Sequence, residues 1–279
     1  MRRCLVALAG LLAAACGTTA SPTASSSTPG PAVPAVPGME AEAVRLRTDE
    51  AVGGRFQVRL AATGGDVFTV TSVALDSPGF GALPATAVTA EFALGRVIDL
   101  PTPYGPPQCD ADPWPAAARL TVVRPGGAAE PVRVPLSGDV LATVHEEECA
   151  EQAIAEVVEV TVADLADDGD AVTGLLTLTR RAGEERVAAT ALGRSVLLEV
   201  VAEELPLELP AGERSVTTAV SFTPASCHPH VLAETKKPYV FPLTVEVEDV
   251  DPVSVDLPLD QGARDRLAAL VQRVCGATN

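Results

Sequence analysis

The densest reactive chemistry in the chain sits in Cys227-His228-Pro229-His230. Imidazole is the commonest metal-binding side chain, and a neighbouring thiolate suits copper or zinc. A His-x-His pair on a strand puts both rings on one face. Two histidines without the thiolate leave a zinc site incomplete. Pro229 also disturbs a regular strand, and the third histidine, His145, is far away in sequence. His228 and His230 are the candidate copper or zinc ligands, with Cys227 as a third only if it is a free thiol. If Cys227 is oxidised, the segment is a stapled strand end with a structural or partner-contacting loop.

Other polar clusters carry weaker signals. His145-Glu146-Glu147-Glu148-Cys149 lacks the second histidine of the zinc-protease helix and reads as a solvated helix face. Asp164 to Gly174 has carboxylates, but not at the spacing of a calcium loop, and reads as a tight turn between strands. Ser195, in Leu-Gly-Arg-Ser-Val-Leu, lacks the Gly-x-Ser-x-Gly elbow. No phosphate loop or dinucleotide fingerprint is present. No catalytic signature points to an enzyme. Trp114, between prolines, reads as packed, with an interface anchor as the alternative. Lys236 and Lys237 are the only lysines in a chain of net charge −17. They mark either an internal ion pair or a contact point for an acidic or anionic partner.

The cysteines are organised by an internal repeat. Cys109 and Cys227 each follow a glycine-led extended run that closes on a proline. "EPVRVPLSGDVLATVHEEEC" then matches "DPVSVDLPLDQGARDRLAALVQRVC": an acid-Pro-Val strand, a Pro-Leu, a polar turn, and an apolar-periodic segment ending in cysteine. The separations from Cys109 to Cys149 and from Cys227 to Cys275 are similar. A tandem duplication pairs Cys109 with Cys149 and Cys227 with Cys275. Each crosslink stabilises by about 4 kcal/mol on the chain-entropy model, a sufficient structural role.

The elements that position these residues follow a period of two. Tyr239, Phe241, Leu243, Val245 and Val247 share one face of a half-buried strand, with Pro242 marking an edge or a bulge. Similar alternation runs through Phe56-Val58-Leu60, Leu120-Val122, Val158-Val160-Val162, Val196-Leu198-Val200 and Val216-Val220-Phe222. Glycine, proline and aspartate clusters separate the runs. Many short strands at such spacing predict an all-β chain. The expected architecture is two tandem immunoglobulin-like β-sandwich domains, residues 39–152 and 153–279. Each should end in a short helix. Leu267, Leu270, Val271 and Val274 recur at helical spacing, with Asp260 as cap and Gly276 as stop. Leu141 and Val144 occupy the corresponding places in the first copy, with Asp139 as its cap.

The N-terminus sets the compartment. Met1-Arg2-Arg3 precedes an apolar run from Leu5 to Ala15, too short to span a bilayer, as in a secretory signal peptide over residues 1–15. Leu11-Leu12-Ala13-Ala14-Ala15-Cys16-Gly17 resembles the lipobox of bacterial, actinobacterial-type lipoproteins. The resemblance implies cleavage before Cys16 and lipidation (palmitate) of that cysteine. Ordinary cleavage after an Ala-x-Ala site is the alternative, giving a secreted protein. Residues 16–38 form a Ser/Thr/Pro/Ala-rich tether, expected to be disordered because it cannot bury enough apolar surface.

Composition narrows the function. Apolar residues make up 47% of the chain and aromatics only 3%, which argues against stacking platforms. With no basic patch, nucleic-acid binding is excluded as an expectation. The expected protein is a non-catalytic binding or scaffolding lipoprotein at the outer face of the cell membrane. It would engage the membrane through its lipid and a protein or cell-envelope partner through its body. A copper- or zinc-binding or delivery lipoprotein using His228 and His230 is the alternative. No other cofactor is implied.

Overall fold

The computed structural model describes residues 32–276. The signal segment, Cys16 and residues 17–31 of the tether lie outside the described residues. Among the described residues, no helix is long and apolar enough to cross a membrane.

The first half contains β1 (Met39–Val44), α1 (Arg47–Val52), β2 (Arg55–Ala62), β3 (Phe68–Asp76), β4 (Thr86–Phe92), β5 (Val97–Pro103), β6 (Ala117–Val123) and β7 (Ala129–Ser137). It ends in α2 (Val140–Val157). The second half contains β8 (Val158–Asp168), β9 (Ala171–Arg180), β10 (Val187–Leu192), β11 (Leu198–Ala202), β12 (Leu207–Leu209) and β13 (Ser215–Pro224). It continues through α3 (Pro229–Glu234), β14 (Pro242–Val247), β15 (Val253–Asp256) and α4 (Gln261–Gly276). The protein is mostly β, with several sheets.

The strand order of the first half, one seven-stranded sheet, recurs in the second as two separate four-stranded sheets. The first runs β4-β3-β6-β7-β1-β2-β5, with β1 and β7 meeting in parallel at Ala41 opposite Leu136. The second has β12-β10-β14-β15, which repeats β4-β3-β6-β7, and β8-β9-β13, which repeats β1-β2-β5, with β11 added beyond β13. The alternating residues face inward as their period requires. Phe56, Val58 and Leu60 are buried, as are Leu243, Val245 and Val247. Each half has its own core. The first gathers both strand groups around Phe56, Phe92 and Leu120, with Phe68 stacked on Phe92 at 4.9 Å. The second centres on Phe222 and Phe241, edge to face at 5.4 Å. Trp114 is half-buried and packs on the first core.

Several expectations change. Pro242 is at neither an edge nor a bulge of its own strand. It is the first residue of β14, which lies between β10 and β15, and a first residue can do without a ladder N–H. Val196 lies outside the strands and is 54% exposed, because β11 starts only at Leu198. The tether's order begins before Met39. Val36 packs on the first core, and Gly38, at φ 81°, comes so close to Gly64 that a Cβ would lie 3.3 Å from its Cα.

The larger change is α2. It is not short, and the seam expected between residues 152 and 153 lies inside it. After Cys149 the segment Ala-Glu-Gln-Ala-Ile-Ala-Glu-Val is all good or tolerated helix former, with no glycine or proline to stop it. Leu141 and Val144 pack into the first core and Ile154 into the second. Asp139 stands at the N-cap position but makes no side-chain cap bond. In α4 the cap is real: Asp260 Oδ1 accepts from the Ala263 N–H at 2.7 Å. Leu267 and Leu270 are fully buried there.

Candidate functional site

Both disulfides form, Cys109 to Cys149 and Cys227 to Cys275. Each ties the connection before the strand β6 or β14 to the helix that closes its half. Cys227 is therefore no thiolate ligand. The expected strand end at His228 is instead the start of α3: Pro229 takes the first helical position, where its missing N–H costs nothing. His228 and His230 are both exposed, and residues two apart do not share a helix face. His230 Nε2 lies 3.4 Å from Glu234 Oε2. Among the described residues, no group of three or more His, Cys, Asp or Glu is arranged to hold a metal.

The other polar clusters resolve into structure. Ser195 is buried, and its Oγ accepts from the Leu198 N–H at 3.0 Å, bracing the turn before β11. Asp167, near the β8–β9 turn, pairs with Arg266 and Arg273 of α4 at 3.3 and 3.4 Å. The His145–Cys149 stretch is not simply a solvated face. His145 packs edge-on against Phe80, Glu147 pairs with Arg45, and Glu148 accepts from the Tyr104 hydroxyl. Burial and the Glu148 carboxylate push the Tyr104 phenol up, which keeps it a neutral donor.

The two halves belong to one compact unit, and the residues of interest converge where they meet. Short α1 is held by Asp49, which is 1% exposed. Its carboxylate accepts from the Leu46 N–H at 3.0 Å, Arg55 Nε at 3.0 Å and Gln57 Nε2 at 2.7 Å. That anchorage presents Arg47 and Glu50 toward the segment after α3. Lys237 Nζ donates to Glu50 Oε2 at 2.8 Å, and this bond holds the Glu50 carboxyl below its usual range. Lys237 thus makes an internal ion pair between the halves.

Two depressions flank this pair. One, of about 500 Å³, is lined by Val196 and Val231 together with Arg47, Lys236, and the ion pairs Lys237–Glu50 and His230–Glu234. The other, of about 620 Å³, lies along α2 and β15 and carries Glu147, Glu151 and Asp256 with Arg45. Partial burial, then the charges of Glu148 and Asp256, push the Glu151 carboxyl up; partial burial raises Asp256 as well. The first depression can take an apolar group with an adjacent anion. The second, which Lys237 also lines, carries more carboxylates than cations and is the less suited to an anion. Of the first depression's cations, Lys236 and Lys237 were singled out by type. Arg47 was missed, and its only signal is the polar run Arg-Thr-Asp-Glu closed by Gly53-Gly54.

No family model matches the chain, and no curated protein matches it. Among solved structures, it is similar to the crystal structure of red sea bream transglutaminase over 81% of this chain and 32% of that one, at 11% identity and a TM-score of 0.23. The chain thus spans about a third of the length of that protein. It is also similar to a protein of unknown function from Porphyromonas gingivalis W83, over 80% of this chain and 100% of that one, at 14% identity and a TM-score of 0.18.

Proposed function

We propose that this chain is an extracytoplasmic lipoprotein, anchored through Cys16, that works as a non-catalytic binding module. In this reading its body is a duplicated pair of immunoglobulin-like β-sandwiches, 39–152 and 153–279, joined through α2. The shared strand order and the equivalent disulfides support the duplication. The binding site is the depression between α1 and the segment following α3. It recognises a partner protein or envelope component that offers an apolar group next to an anion.

One observation supports the site: the chain's two lysines, Arg47 and His230 gather around one apolar patch in a molecule of net charge −17, and with Lys237 paired to Glu50 and His230 to Glu234 it is Arg47 and Lys236 that would meet an anion. Such a spot stands out electrostatically from a surface that otherwise repels anions. The test is titration of the purified chain with a fluorescent Glu/Leu peptide at low and physiological salt. Binding should weaken with salt and be lost in Lys236→Glu/Lys237→Glu. Binding unchanged in that variant sinks the site. The anchor is tested separately, by palmitate labelling and membrane fractionation of the parent and Cys16→Ser; a parent chain that is unlabelled and found in the medium sinks the anchor.

A further inference from the structure

The two disulfides occupy equivalent places in the fold but very different surroundings. Cys275 is 3% exposed, at the end of α4. Four residues before it, on the same helix face, stands Val271, packed against the second core. In the first half Cys109 is exposed in a turn and Cys149, on α2, is partly buried. Four residues before Cys149 stands His145, whose Nε2 lies 3.7 Å from Cys149 Sγ.

That imidazole is held in place. Its Nε2 is 3.2 Å from the Gln108 carbonyl oxygen. A carbonyl only accepts, so Nε2 carries a hydrogen and donates it to Gln108, with Cys149 Sγ within reach at 3.7 Å. The ring packs edge-on against Phe80 at 5.3 Å. On another side lies Gly79, where a Cβ would come within 3.0 Å of His145 Cδ2 and 2.6 Å of Pro113 Cα. A side chain at position 79 would displace the ring. The packing thus fixes a donor beside one sulfur of an exposed disulfide.

We propose that Cys109–Cys149 is a thiol-exchange site, with Cys109 as the sulfur attacked, Cys149 as the leaving thiolate and His145 as the group that positions a hydrogen bond on it. An external thiolate attacks Cys109 Sγ. A new S–S bond forms between that thiol and Cys109 while the Cys109–Cys149 bond breaks. The electron pair leaves on Cys149 Sγ, which becomes the stronger acceptor and draws the Nε2–H from the Gln108 carbonyl. The external thiol is oxidised to a mixed disulfide and Cys149 is reduced. The reverse attack by Cys149 on Cys109 Sγ restores the bridge and releases the thiol. A better-stabilised leaving thiolate leaves faster. Asp110 and Asp112 flank Cys109, both exposed, so the co-reactant is a neutral or cationic small thiol rather than an anionic one. The Cys227–Cys275 bridge, with Cys275 buried, stays closed.

The test uses the natively oxidised full chain with limiting cysteamine, followed by alkylation and peptide mapping. The expected product carries cysteamine on Cys109 and alkyl on Cys149, with Cys227–Cys275 intact. 2-Mercaptoethanesulfonate, compared per thiolate, should react several-fold more slowly. His145→Ala should slow opening about fivefold, the loss of one charge-assisted hydrogen bond to a partly formed thiolate. His145→Gln, which keeps a donor, should recover part of that rate and guards against a packing defect in the alanine variant. The proposal is overturned if both bridges open together, if Cys227–Cys275 opens first, if the adduct sits on Cys149, or if both His145 variants open at the parent rate.

Discussion

The passage of α2 through both cores has a measurable thermodynamic signature. Leu141 is fully buried in the first core and Ile154 is 4% exposed in the second, yet one uninterrupted helix carries both. Truncating either to alanine removes about three methyl or methylene groups and leaves a cavity, at a cost of about 3 kcal/mol. If the halves unfold as one cooperative body of residues 32–276, that loss lowers a single transition by roughly 6–12 °C, at about 2–4 °C per kcal/mol for a unit of this size. If each half unfolds alone, a unit of about 120 residues gives about 4 °C per kcal/mol, so one of two transitions drops by roughly 12 °C and the other stays. Coupling through the helix predicts the first pattern, with Leu141→Ala and Ile154→Ala shifting the same endotherm. The assay is differential scanning calorimetry with both disulfides intact, with agreement of calorimetric and van't Hoff enthalpies as the two-state check. Ala153→Pro, at an exposed site within α2, costs about 3 kcal/mol in helix interior and should split the endotherm. Two resolved transitions in the parent, one of them insensitive to Ile154→Ala, would refute the reasoning.

Asp49→Ala removes the acceptor shared by Leu46, Arg55 and Gln57 and should cost about 3 kcal/mol in urea unfolding, since buried donors lose their partner. The Glu151 and Asp256 carboxyls are raised in the fold, so the native state holds their protons more tightly than the unfolded chain does. Their contribution is therefore present at low pH and is lost as pH rises through the folded values. Glu151→Gln/Asp256→Asn should stabilise at pH 7 by less than about 1 kcal/mol, because both side chains keep contact with solvent. The gain should vanish near pH 3, where the parent's groups are neutral, and destabilisation of the variant at pH 7 in urea curves would contradict the sign. For the histidines, parent and His228→Ala/His230→Ala should take up equal copper and zinc by elemental analysis after dialysis.

What could be read from residues alone was what local periodicity encodes. Phe56-Val58-Leu60 and Leu243-Val245-Val247 alternate cleanly because each strand has one face on a core. The cysteine pairing was legible because the repeat aligns Leu141 and Val144 with Leu267 and Leu270, and all four are buried. The length of α2 is encoded by an absence: no stop residue lies between Cys149 and Val157, so the cysteine marks a crosslink and not the helix end. Val160 and Val162 lie on β8, which has a strand on one side only, so their alternation buries them less than it suggests. The depression at the junction was legible only in its lysines. Its pairing of Lys237 with Glu50 spans 187 residues, and no local pattern encodes a contact of that separation.

α2 ends at Val157 and β8 begins at Val158, so no slack residue lies between the halves. Adding one residue to a helix turns everything beyond it by about 100° and advances it by about 1.5 Å. A single insertion in α2 would swing Lys237 off Glu50 and scatter the walls of the depression, although every strand remained intact. Drift in length is therefore tolerable in the surface turns and forbidden here, and the helix acts as a ruler for the whole molecule.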